Sequence, residues 1–321
     1  MSKAVLALIL LAIPLCAQDD TPVFHATTEL VLVDIEVLHV KTGTPAGSLK
    51  AKDLRVLEEG VEQEIVHFSR DEFPLSAVLL FDLTLSVRPV LKHLAEGAKT
   101  AFAHFKPEDE VSVMVYAERA RLIDGFTTDR ERTLRAIEEA AKMKSMDAAY
   151  FNEAVYQAAI QLRQASRPSN RRVVIWLTDN LPNVPYEKRK FPVHTEIEAV
   201  RALHEEGVVV APILQTSRLW TVLGPILTFD ELPKAKKYPP GDARRYAEVT
   251  GGQAVGLRGK KPEERLGQLI EELRARYTIG YRPSDPQPAG TFRKIQVEVA
   301  PEGTLRPAEW RVVARQGYYR K

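Results

Sequence analysis

The chain has 321 residues, 45% hydrophobic and 27% charged, a length that accommodates about two domains with substantial cores. Forty-five Lys and Arg against 43 Asp and Glu leave a net charge of +2, which excludes a global electrostatic pull toward nucleic acid or an acidic membrane. With one cysteine, Cys16, no intramolecular disulfide framework can form.

Residues 1–17 (MSKAVLALILLAIPLCA) have the layout of a secretory signal: Lys3 gives a positive start, an apolar run follows, Pro14 breaks it, and small Ala17 precedes polar Gln18. Cleavage after Ala17 would remove Cys16 and deliver the mature chain to a secreted or periplasmic location. A lipoprotein signal would want a small residue where Leu15 stands. No later run reaches the ~18 apolar residues of a transmembrane segment.

Residues 30–38 (LVLVDIEVL) alternate apolar and acidic, as a half-buried strand does. Residues 53–58, a Glu59-Gly60 turn and residues 63–68 predict a hairpin-like meander. From Pro74 the pattern becomes strand then helix. Residues 75–82 (LSAVLLFD) form an apolar run that stops on Asp82, with Thr84 and Ser86 following at spacing two. A buried parallel strand ending this way puts its carboxylate at the sheet's C-terminal edge, where open α/β sheets bind ligands. Three hard oxygen groups on one loop suit a cation such as Mg2+, although an Asp and a Thr in that position also serve as helix caps.

Helical stripes follow over 89–105, 129–142, 151–164, 195–206, 244–250 and 262–276, separated by strands at 110–116, 120–126, 172–177, 208–214 and 253–255. The strand at 172–177 (RVVIWL) ends on Thr178-Asp179 and repeats the logic of Asp82. Residues 218–240 lack periodicity and read as an insertion, with Trp220 either a contact residue or a loop anchor and Lys234, Lys236 and Lys237 solvated. After Arg276 strands return at 277–281, 293–299 and 310–314, matching the N-terminal ones in length and patterning. The economical architecture is a β-sandwich made by both chain ends with a doubly wound, mostly parallel α/β sheet inserted between them. The expected divisions are the signal (1–17), an N-terminal sandwich segment (22–72), the α/β domain (73–276) and a C-terminal sandwich segment (277–321).

The order of these motifs resembles a von Willebrand factor type A domain: a strand ending in D-x-[ST]-x-S, an amphipathic helix, a polar loop before a helix, and a strand ending in T-D. More narrowly, LVLVDIEV, DLRVLEEGVEQEIVHFS, PLSAVLLFDLTLS, RRVVIWLTD, ELRARYTIGYRP and ARQGYY resemble bacterial secreted proteins with a related domain. The resemblance implies a Rossmann-like sheet and a metal-ion-dependent adhesion site, with Asp82, Thr84, Ser86 and Asp179 as ligands of Mg2+ or another divalent cation. It also exposes two departures. Ala149 stands where the family's ligand threonine belongs, leaving Ser145 or Asp147 to compensate, and Asn180 replaces the common Gly after the carboxylate.

Enzymatic alternatives find no support in the motifs. G-x-S-x-G, H-E-x-x-H, G-x-G-x-x-G and the P-loop are all missing from the sequence. The expectation is therefore an exported, non-enzymatic protein-binding or adhesion module, whose protein ligand contributes an Asp or Glu to the metal and which does not bind nucleic acid. The alternative is a structural or assembly protein with a vestigial, metal-free site, binding through the sandwich or the 218–240 insertion.

Overall fold

The computed structural model describes residues 30–70, 73–144, 149–180, 194–215, 242–257, 259–285 and 287–320. The signal at 1–17, Ser145, Asp147 and the insertion at 218–240 lie outside the described residues.

The chain begins with β1 (Val31–His39), β2 (Leu54–Glu58), β3 (Val61–Gln63) and β4 (Ile65–Ser69). Glu59 and Gly60 are both left-handed (φ 49° and 82°), the geometry of a two-residue turn that matches strand twist, so β2 and β3 pair as a tight hairpin. The expected meander does not continue past it. Strand β4 leaves that hairpin after Glu64 and pairs instead in a different sheet.

The α/β unit follows as β5 (Leu75–Asp82), α1 (Arg88–Phe102), β6 (Glu110–Tyr116), β7 (Ala120–Thr127), α2 (Arg130–Lys142), α3 (Phe151–Leu162), β8 (Arg171–Thr178), α4 (Glu196–Glu206), β9 (Val209–Leu214), α5 (Ala243–Thr250), β10 (Val255–Gly256) and α6 (Pro262–Arg274). Its sheet has the order β10-β9-β8-β5-β6-β7, parallel except for β7. Every residue of β5 is buried, as a central strand covered on both faces requires. One face packs α1, α2 and α6 through residues such as Leu91, Ile137 and Ile270. The other packs α3, α4 and α5 through Phe151, Leu203 and Tyr246.

The chain closes with β11 (Tyr277–Tyr281), β12 (Phe292–Val299), β13 (Trp310–Ala314) and β14 (Gly317–Tyr319). Strands from both chain ends interleave into two antiparallel sheets, β13-β1-β11-β4 and β14-β12-β2-β3. Their inner faces share one core containing Val33, Ile35, Val56, Ile279, Tyr281 and Ile295. Arg171, at the start of β8, joins the sandwich to the α/β unit by donating to both carboxylate oxygens of Asp34 on β1, at 2.8 and 3.0 Å. Among the described residues no helix is long and apolar enough to cross a membrane.

Candidate functional site

The C-terminal edge of the parallel sheet carries the site. Strand register sets Asp82 directly beside Tyr116 at the end of β6 and Phe81 beside Leu177 on β8, so Thr178 closes the row. Asp82 is fully buried, and its carboxylate is held from three sides. Oδ1 accepts the Thr84 backbone N–H at 2.8 Å; Oδ2 accepts the Tyr116 hydroxyl at 2.9 Å and the Thr178 hydroxyl at 3.2 Å. Trp176 Nε1 in turn donates to the Tyr116 hydroxyl at 2.9 Å, which fixes the phenol in place.

Above this base the predicted residues converge. The Asp82–Thr84 hydrogen bond folds the loop after β5, and the N–H groups of Val87 and of Arg88, the first residue of α1, bond back to Thr84 O. That turn brings Thr84 Oγ1 to 3.3 Å from Ser86 Oγ, and Ser86 donates to Asp179 Oδ2 across the gap between β5 and β8. Asp82, Thr84, Ser86 and Asp179 thus form one cluster.

Burial pushes the Asp82 carboxyl up to about 6, with the nearby Asp179 charge adding to the rise and hydrogen bonds from Thr84 and Tyr116 opposing it. The Tyr116 hydroxyl is driven well above its ordinary value by burial and by the adjacent Asp82.

Asn180 adopts left-handed backbone, φ 58°, a conformation asparagine tolerates better than other side-chain-bearing residues. The loop therefore turns without glycine, and the amide gains a function glycine could not supply. Its Nδ2 donates to Asp242 Oδ1 at 3.1 Å and its Oδ1 accepts the Ala243 N–H at 2.7 Å, pinning the loop to the start of α5. Asp242 is the N-cap of that helix and also accepts Arg244 N at 2.8 Å.

Ala149 is buried in the apolar cluster that includes Tyr116, Phe151 and Trp176, and contributes no side-chain oxygen. Glu153, four residues on, accepts the His194 backbone N–H at 3.0 Å and His194 Nδ1 at 2.7 Å, while the His194 ring stacks on Tyr156. Burial works to raise the Glu153 carboxyl, but these bonds hold it below its ordinary value. It fastens the chain leading into α4 onto α3.

Sequence reasoning missed Tyr116, Thr178 and Asp242. A tyrosine closing the buried run EVSVMVY was the available signal for the first; Thr178 stands out in the sequence only as half of T-D. Asp242 gives no periodic signal because it follows the unpatterned insertion.

Chemically the cluster offers only oxygens: two carboxylates and two hydroxyls, a donor set for a hard cation with water filling the remaining positions. Among the described residues no three His, Cys, Asp or Glu side chains form a group that could hold a metal, so any cation here depends on Thr84 and Ser86 as much as on Asp82 and Asp179.

Residues 77–181 match the family model of the von Willebrand factor type A domain. No curated protein matches the chain. Among solved structures, the conserved hypothetical protein BatB from Bacteroides thetaiotaomicron is 13% identical, with 62% of this chain and 98% of that one covered and a TM-score of 0.41. An aerotolerance-related membrane protein from Bacteroides fragilis is 12% identical, covering 62% and 99%, TM-score 0.41. The PilB minor pilin from Streptococcus sanguinis is 11% identical, covering 64% and 61%, TM-score 0.42. The family match takes in β5, β6, β8 and both carboxylate loops, and residues 77–181 of this chain are a von Willebrand factor type A domain.

Proposed function

We propose that the chain is an exported, non-enzymatic protein-binding module that holds a divalent cation, Mg2+ first, at the C-terminal edge of its α/β sheet. Thr84, Ser86, Asp179 and Asp82 hold the ion, and water takes the position that Ala149 leaves without a ligand. A carboxylate from the partner protein completes the shell. The observation that carries this reading is the convergence of the Thr84, Ser86 and Asp179 side chains above the buried Asp82. Export rests on the signal-like residues 1–17. We divide the mature chain into sandwich segments at 22–72 and 277–321 around an α/β domain at 73–276. Calorimetric titration with Mg2+ and Mn2+ tests the site. Heat of binding that disappears in Asp82→Ala supports it, and no binding at about 1 mM metal overturns it.

One observation favours a second reading. Ser86 donates directly to Asp179, a contact that closes the cluster without an ion, and Ala149 removes a ligand. On that reading the protein is a structural or assembly component that binds through its sandwich or the 218–240 insertion. Partner capture that ignores chelator but is lost on deleting 218–240 would select it.

A further inference from the structure

At the opposite edge of the same sheet, where β8 begins and α4 ends, lies a cleft of about 380 Å³ between the α/β unit and the sandwich. The eight residues of β8 separate it from Asp179 by roughly 23 Å. We propose that this cleft binds a small organic carboxylate, with the anionic head on Arg315, Arg172 and Asn170 and an apolar body against Leu30, Leu32 and Phe73.

Unpaired polar atoms carry the argument. Among the described residues eight buried side-chain nitrogen or oxygen atoms lack a hydrogen-bond partner, and four of them belong to residues lining this cleft: Asn170 Nδ2, Arg172 Nε, His204 Nδ1 and Arg315 Nε. Buried polar groups are nearly always paired, so their concentration around one cleft marks a place where the described residues leave hydrogen-bonding capacity unmet. Three of the four are N–H donors. The fourth, His204 Nδ1, is an acceptor, because Nε2 faces the Val249 carbonyl at 3.1 Å and takes the proton; a water or a ligand hydroxyl serves it.

The charges point the same way. Arg171 is saturated by Asp34 and by the Leu273 and Arg274 carbonyls. Arg172 shares Glu206 with Arg163, and Glu205 is bridged by Arg163 and Arg201. Arg315 differs: it donates to Leu32 O at 2.8 Å and lies over the Tyr318 ring, but among the described residues no carboxylate forms an ion pair with it. Burial lowers its hold on its proton, as expected of a guanidinium whose charge is incompletely compensated. An anion supplies the missing charge in a setting where a bidentate carboxylate contact is strong. Leu30 and Leu32, 41% and 47% exposed at the rim, give the ligand's body an apolar surface.

The test is thermal-shift and calorimetric titration of the full chain in chelator with hexanoate, acetate, inorganic phosphate and chloride at matched ionic strength. Hexanoate is expected to bind about tenfold more tightly than acetate, since its extra methylenes reach the apolar wall. Arg315→Gln should weaken it by about tenfold or more, and Asn170→Ala, which keeps Arg315 in place, should weaken it less. Asp82→Ala should leave it unchanged, which separates this site from the cation cluster. Hexanoate that shifts melting no more than chloride, binds no better than phosphate, or binds both Arg315→Gln and Asn170→Ala as well as the wild type overturns the proposal.

Discussion

Replacing Asp82 by Asn should stabilise the metal-free protein. The native carboxyl is fully buried, titrates at about 6 and lies beside the Asp179 charge, whereas in the unfolded chain it titrates near 3.8. The folded value is raised, so the stabilising contribution is whole below pH 3.8 and is lost as pH rises through 6. Complete ionisation then costs the fold about 3 kcal/mol, an upper figure because side chains relax around a buried charge. Asparagine cannot ionise. It keeps an acceptor for the Thr84 N–H, and its amide can donate to the Tyr116 or Thr178 oxygen, so the substitution removes a charge without orphaning its neighbours. The assay is calorimetric melting of both proteins in chelator from pH 4.5 to 8. The variant should gain on the wild type as pH rises, reaching about 6 °C above pH 7 if each kcal/mol is worth about 2 °C in a chain of this size. Mg2+ should then raise the wild-type melting point and leave the variant unmoved, the exchange of stability for function expected where a site is built around a costly charge. A variant less stable than wild type at pH 7.5 in chelator, or a gap that does not change with pH, would refute the reasoning.

Three further outcomes follow from the same geometry. His204 is buried beside Arg315 and titrates at about 4, burial being the larger cause, so its contribution to stability holds above pH 6.5 and falls away toward pH 4; His204→Gln should retain about 3 kcal/mol more stability than wild type across that window in denaturant titrations. Asn180→Gly accepts the left-handed backbone but loses the bonds to Asp242 and Ala243, whereas Asn180→Ala loses those and adds about 1 kcal/mol of strain, so Mg2+ affinity should fall in both and melting should fall further in the alanine variant. A Cβ at Gly252 would stand 1.8 Å from the Val210 carbonyl oxygen on β9, so Gly252→Ala should cost about 3 kcal/mol or more and show as loss of soluble, cooperatively melting protein.

What could be read from the sequence follows a physical division between local and non-local causes. The run from Leu75 to Asp82 was legible because a doubly covered strand must be apolar throughout, and a carboxylate can follow only where the sheet ends. The sandwich was legible because β1 and β12 alternate with period two on opposite sides of a strand-and-helix pattern. The departure of β4 from its hairpin was not, since β3 is three residues long and β4 pairs with β11, more than two hundred residues away. The candidate site divides the same way. Asp82, Thr84 and Ser86 share one turn and were visible as a spacing. Tyr116 and Thr178 act on Asp82 only because strand register aligns the ends of β5, β6 and β8, a relation between distant segments that no window contains. The consequence reaches the proposed function: the candidate ligands are written locally, while the donors that hold Asp82, and the burial that makes its charge costly, are written in the sheet. Two chains with the same D-x-T-x-S could therefore differ widely in cation affinity, and the residues that decide between them lie at the ends of the neighbouring strands.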